Sequence, residues 1–151
     1  MKKISVIIST LFLSLAPLKA QEISIVGHGF SKHLKNHHNF KETNYGVGLR
    51  YEKDEYALQL GNYHNSLHKN SFYAGMDWSP IHSNITGCLN FESGLYFGGA
   101  TGYKYNVTPM AGVQTAFRCK NIFIRVRAMP DIFYSAKAVG AVEFGFVLKQ
   151  F

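Results

Sequence analysis

The stretch of this sequence best equipped for chemistry is Asn62-Tyr63-His64-Asn65-Ser66-Leu67-His68-Lys69-Asn70, a polar run carrying one hydroxyl and two imidazoles. A serine hydroxyl attacks an ester only when a base takes its proton, and acyl transfer then needs that proton delivered to the leaving oxygen. His33 can be that base for Ser66 if the chain connections holding them leave the same end of a sheet. Asn65 or Tyr63 would orient the base or donate to an oxyanion. Ser, Asn and His are also ordinary loop residues, so a solvated loop without turnover is the alternative. All seven histidines lie between His28 and His82. His37 and His38 are adjacent and point apart on an extended chain. No Cys or carboxylate completes a zinc spacing with them, or with His64 and His68, so neither a metal site nor a cofactor is expected.

Strands must position these residues. From Ser71 the chain alternates cleanly, with Phe72, Ala74, Met76 and Trp78 on one face and Ser71, Tyr73, Gly75 and Asp77 on the other. Alternation and turn residues predict eight strands: Glu22 to Ser31, Thr43 to Lys53, Glu55 to His64, Ser71 to Ser79, Thr86 to Gly98, Lys104 to Arg118, Ile122 to Met129 and Ala138 to Phe151. Tyr45, Val47, Leu49 and Tyr51 oppose Asn44, Gly46, Gly48 and Arg50; Ile122, Ile124 and Val126 oppose Arg125 and Arg127. Inward arginines need partners, and Asp77, Glu92 and Glu143 are the inward carboxylates available for an ion-pair network.

The first twenty residues read as a signal peptide: Lys2 and Lys3, an apolar run from Ile4 to Leu15, then a cleavage site in Ala16 to Ala20. Residues 21–151 then form one domain. Lys2, Lys3 and Lys19 leave with the signal, so 13 of the 16 basic residues stay against nine acids, a net charge of +4. That balance, without a basic run, argues against nucleic acid and suits anionic lipid phosphates. With 12 Phe, 9 Tyr and 14 Gly on alternating strands, the predicted fold is all-β, an eight-stranded antiparallel transmembrane β-barrel. In a bilayer every backbone donor must pair within the protein, so such a sheet closes. The expected address is the outer membrane of a Gram-negative cell, and the expected state a monomer.

Connection lengths orient the barrel. Lys32 to Glu42, Asn65 to Asn70, Gly99 to Tyr103 and Pro130 to Lys137 are the expected outer connections. The turns near Asp54, Pro80 to Ile85 and Cys119 to Asn121 face the periplasm. If strands five and six pair about a turn near Thr101 to Tyr105, Cys88 and Cys119 become cross-strand neighbours at the periplasmic rim, either bridged or free. In the last strand Val142, Phe144, Phe146 and Leu148 face lipid, but Phe151 falls on the opposite parity. A bulge or frayed end must intervene for its ring to meet lipid.

Ser31-Lys32-His33-Leu34, the run from Asn39 to Leu49, His64-Asn65-Ser66-Leu67-His68-Lys69 and Tyr73-Ala74-Gly75-Met76-Asp77-Trp78 together resemble the lipid A palmitoyltransferase (PagP) barrels and smaller PagP-like proteins. Pro109 and the Met129-Pro130 pair extend the likeness, which spans most of the mature chain at low identity. The resemblance implies an outer-membrane enzyme that moves a phospholipid acyl chain to lipid A, making phospholipid and lipopolysaccharide its partners. It assigns the essential His to His33 and the Ser to Ser66, and places Asn65 where the family has Asp. Asn cannot stabilise an imidazolium by charge. The family's amphipathic N-terminal helix has no counterpart here and the loops are shorter. A non-catalytic structural, lipid-binding or surface barrel and a lipid A deacylase are the alternatives.

Overall fold

A computed structural model describes residues 21–34, 41–103, 105–130 and 138–151. The proposed signal peptide, His37, His38 and most of the connection after Pro130 lie outside the described residues. Eight strands, β1 (Glu22–His33), β2 (Thr43–Lys53), β3 (Tyr56–His64), β4 (Asn70–Thr86), β5 (Leu89–Ala100), β6 (Thr108–Cys119), β7 (Ile122–Met129) and β8 (Val139–Gln150), pair in chain order, and β8 returns to β1 to close the barrel. All pairs are antiparallel. One rim carries the tight turns Asp54–Glu55, Gly87–Cys88 and Lys120–Asn121; the other carries the longer connections.

The period-two pattern decides which side chains enter the lumen. Arg50, Gln59, Tyr73, Asp77, Tyr96, Arg125 and Arg127 are buried, while Tyr45, Leu49, Leu58, Leu60, Phe72 and Ile124 cover the outside. Large inward rings fit because glycines face them. A Cβ on Gly145 would stand 1.9 Å from the Phe123 ring, and one on Gly75 would stand 2.4 Å from that of Tyr96. A small barrel has no other space for such side chains.

β4 runs seven residues beyond the predicted Ser79, through the segment expected to turn. Its neighbour β3 ends at that level, where Ser79 N donates to Glu55 O at 2.8 Å. Ser79 N faces β3, so the nitrogen of Pro80 faces β5, and it falls in a bulge of that pairing, which is where a sheet tolerates proline. A register shift between Trp78 and Ile81 absorbs it, and β4 continues against β5 to Thr86. The fifth strand accordingly starts at Leu89 rather than Thr86, and the sixth at Thr108 rather than Lys104. Leu89 faces Cys119, and the adjacent Cys88 is joined to Cys119 in a disulfide with Cα atoms 4.8 Å apart.

The bulge needed near the C-terminus is present. Lys149 pairs with Ile23 but Val147 with Ser24, so Leu148 is the extra residue and the parity of the chain reverses beyond it. Phe151 thereby reaches the outer face, 61% exposed, and its N–H donates to Gln21 O at 2.9 Å.

Candidate functional site

Asn65 is fully buried and organises the connection between β3 and β4. Its Oδ1 accepts from the amides of Leu67 and Lys69, each at 2.9 Å, which curls the chain into a tight loop closed by Asn65 N to Lys69 O. Its Nδ2 donates to Ser71 Oγ at 2.9 Å and to Gly102 O at 3.1 Å. Ser71 Oγ in turn donates to Thr101 O at 2.5 Å. This set ties the connection after β3 to the one after β5. It also fills both donors and both acceptor directions of the amide, so Asn65 holds the loop together and has no hydrogen bond to His33.

Ser66 follows directly, buried, with its carbonyl accepting from Lys41 N at 3.1 Å. His33 is the last residue of β1, paired with Val139 of β8. His33 thus belongs to a strand and not to the expected connection from Lys32 to Glu42, whereas Ser66 lies in the connection after β3, and the two line the same cavity, of about 100 Å³. Its walls divide by polarity. Phe30, Pro109, Met110, Met129 and Val142 supply an apolar side, and Tyr63, Tyr73, Tyr96 and Tyr103 supply hydroxyls. Tyr63 and Tyr103 share a hydrogen bond at 2.8 Å, and burial pushes the Tyr103 phenol above its ordinary value.

The floor is charged. Arg127 binds Glu143 and Asp77, and His28 Nδ1 stands 3.4 Å from Glu143 Oε1. Beneath it, Arg50 binds Asp77 and Glu52, Arg125 Nη1 lies 3.5 Å from Glu143, and Arg118 joins Glu22, Glu52 and Glu92. The three expected carboxylates are all in this network. Glu22 and Glu52 were missed by sequence reading, although each sits at an inward position of its strand. His28 was missed for the same reason: it follows Ser24 and Val26 at two-residue steps into the lumen.

Among the described residues, the pairing of the wall beside the apolar side is incomplete. β6 and β7 pair from Val113↔Ala128 downward, and Met129 pairs only with Val139 of β8. Among the described residues, Thr108 to Gly112 have no β7 partner, and the cavity reaches this seam at Pro109 and Pro130. Proline carries no N–H, so Pro109 in the seam adds no unmet donor. No group of three metal-ligating side chains occurs among the described residues.

These features define an eight-stranded transmembrane β-barrel with a polar plug below a rim cavity. No family model matches the chain and no curated protein matches it in sequence. It is similar to a solved structure described as "De novo design of transmembrane beta-barrels", at 16% identity with a TM-score of 0.51, covering 89% of this chain and 98% of that one. At that identity the likeness concerns the fold alone.

Proposed function

We propose that the protein is an outer-membrane acyltransferase that takes an acyl chain from a phospholipid and passes it to lipid A. The observation that carries this reading is that His33 and Ser66 line one cavity, which also reaches a seam in the barrel wall. A lipid chain in the surrounding bilayer enters through such a seam without crossing the charged plug. His33 accepts the attacking hydroxyl's proton as the ester carbonyl is attacked, and returns it to the departing lysophospholipid oxygen. If Ser66 is that hydroxyl, a lipid A hydroxyl then attacks the acyl-serine, its proton passing through His33 to Ser66 Oγ as that ester breaks; otherwise the lipid A hydroxyl attacks the phospholipid ester directly and Ser66 donates to the carbonyl. The exported, monomeric state belongs to the same proposal.

Asn65 favours a second reading. Its amide is committed to four loop hydrogen bonds, so no carboxylate stands behind His33 from that position. A barrel that holds a lipid chain without turning it over is consistent with that arrangement. Mass spectrometry of lipid A from cells making the protein separates the two. A gain of one acyl chain that disappears in Ser66→Ala and in His33→Ala is the expected result. Unchanged lipid A selects the lipid-binding barrel, and loss of a chain selects deacylation.

A further inference from the structure

A second cluster, unused by the cavity, lies on the outward face at the rim with the longer connections. Tyr45 of β2 and His64 of β3 stack with centroids 5.4 Å apart and planes within 3°. His64 is paired across the sheet with Asn70 of β4, and its Nδ1 lies 3.1 Å from Asn70 Oδ1. Lys41 places its Nζ 4.7 Å from the Tyr45 centroid, and the His68 ring meets His64 edge-on at 6.4 Å. One ammonium and two imidazoles are thus mounted on a single aromatic shelf. Its parts are fixed to one another, because Lys41 N donates to Ser66 O and His68 N donates to Asn65 O, each at 3.1 Å.

Height and charge point to what the shelf meets. In the row below it on the same face Val47 and Phe72 flank the exposed Asn62, and Leu60 follows one row further down; Val47, Leu60 and Phe72 are 53%, 60% and 69% accessible. The shelf therefore stands where the apolar band ends, at headgroup depth. The described carboxylates are almost all elsewhere: Asp77 and Glu143 are in lumen ion pairs, and Glu22, Glu52, Asp54, Glu55 and Glu92 belong to the opposite half. Glu42 alone remains among the described carboxylates at this end, and no ion pair of Lys41 or of the exposed Lys69 with any described carboxylate occurs. A ring beneath an ammonium orients the cation without neutralising it, leaving its charge for an outside anion.

We propose that the Lys41–Tyr45–His64–His68 shelf docks the phosphate of a phosphorylated outer-leaflet glycolipid. Lys41 and the imidazoles supply charge-assisted hydrogen bonds, and the Tyr45 and Phe72 rings lie alongside the upper acyl chains. This rests on the proposed orientation of the long connections toward the outer leaflet, and not on acyl transfer.

The test uses the full chain in detergent micelles, with bound lipid counted by native mass spectrometry. The probes are lipid A with its phosphates, lipid A stripped of them, and inorganic phosphate. Phosphorylated lipid A is expected to bind at least tenfold more tightly than the stripped form, and K41A/H64A/H68A to lose that margin. Because H64A alters a strand, K41A/H68A repeats the measurement with every strand residue intact. Equal binding of the two lipids, or a margin that survives in both variants, overturns the proposal. Displacement of the lipid by millimolar inorganic phosphate also overturns it, by showing a free-anion site. Ser66→Ala is expected to bind as the wild type does, so loss of acyl transfer with binding retained leaves the docking surface standing.

Discussion

Asn65 shows why a residue's identity cannot be judged by its place in a motif. The family resemblance places it where an acid would act on an imidazole, yet here its amide nitrogen donates to the Gly102 carbonyl and to Ser71 Oγ. Asn65→Asp would put a carboxylate oxygen against that carbonyl. We expect it to destabilise the barrel by about 1–3 kcal/mol, the cost of unmatched buried polar groups, in a urea titration of the refolded protein. We expect it not to raise any acyl-transfer rate. Amide exchange at Leu67 and Lys69 should quicken in Asn65→Ala, since both amides lose the same acceptor. A charge-based role for position 65 predicts the reverse for Asn65→Asp, faster turnover with an intact loop.

At the scale of elements, strand type and face were legible because alternation is a local property. β2 and β7 have the bounds that the pattern predicts, and the inward arginines face the inward acids. What the pattern could not supply was where each strand loses its neighbour. Pro80 reads as a turn signal in isolation, but placed in a bulge against β5 it continues a strand past the end of β3. The resulting hairpin runs to the rim with the tight turns and is fastened at its tip by Cys88 to Cys119. The cysteines lie 31 residues apart. A loop of that size gives the disulfide about 3–4 kcal/mol in the chain-entropy model. Reduction should lower the urea midpoint of the refolded barrel, and Cys88→Ser/Cys119→Ser should match the reduced protein.

For the whole molecule, stability divides between a lipid-facing band and a charged lumen. Leu60, at the middle of β3, is 60% exposed on the outer face. Leu60→Arg should cost about 2–4 kcal/mol in vesicles, as a charge near the bilayer midplane does. The same change should matter much less for a barrel that stands in water, so folding titrations in vesicles test the membrane assignment. Inside, Arg127 bonds Asp77, Glu143 and Gln59, whereas Arg125 makes only longer ion contacts and packs on Phe123. Arg127→Met should therefore cost about 3–5 kcal/mol by stranding buried carboxylates. Arg125→Met should cost clearly less, because Arg50 and Arg127 still pair with Asp77 and Arg127 with Glu143. Equal losses would show that the plug acts as one charge cluster rather than through its individual hydrogen bonds.

The sequence by itself determined the fold class, the lumen and lipid faces and the need for a bulge or a frayed end before Phe151, because each follows from side-chain period and backbone pairing. Only the tertiary structure decided that His33 and Ser66 share a cavity, that Asn65 is bound into its own loop, and that among the described residues β6 and β7 are unpaired above Val113 and Ala128. Those facts depend on which strands meet at what height around a closed ring. Pairing at one seam fixes the register at the next, and no single stretch of chain contains that information.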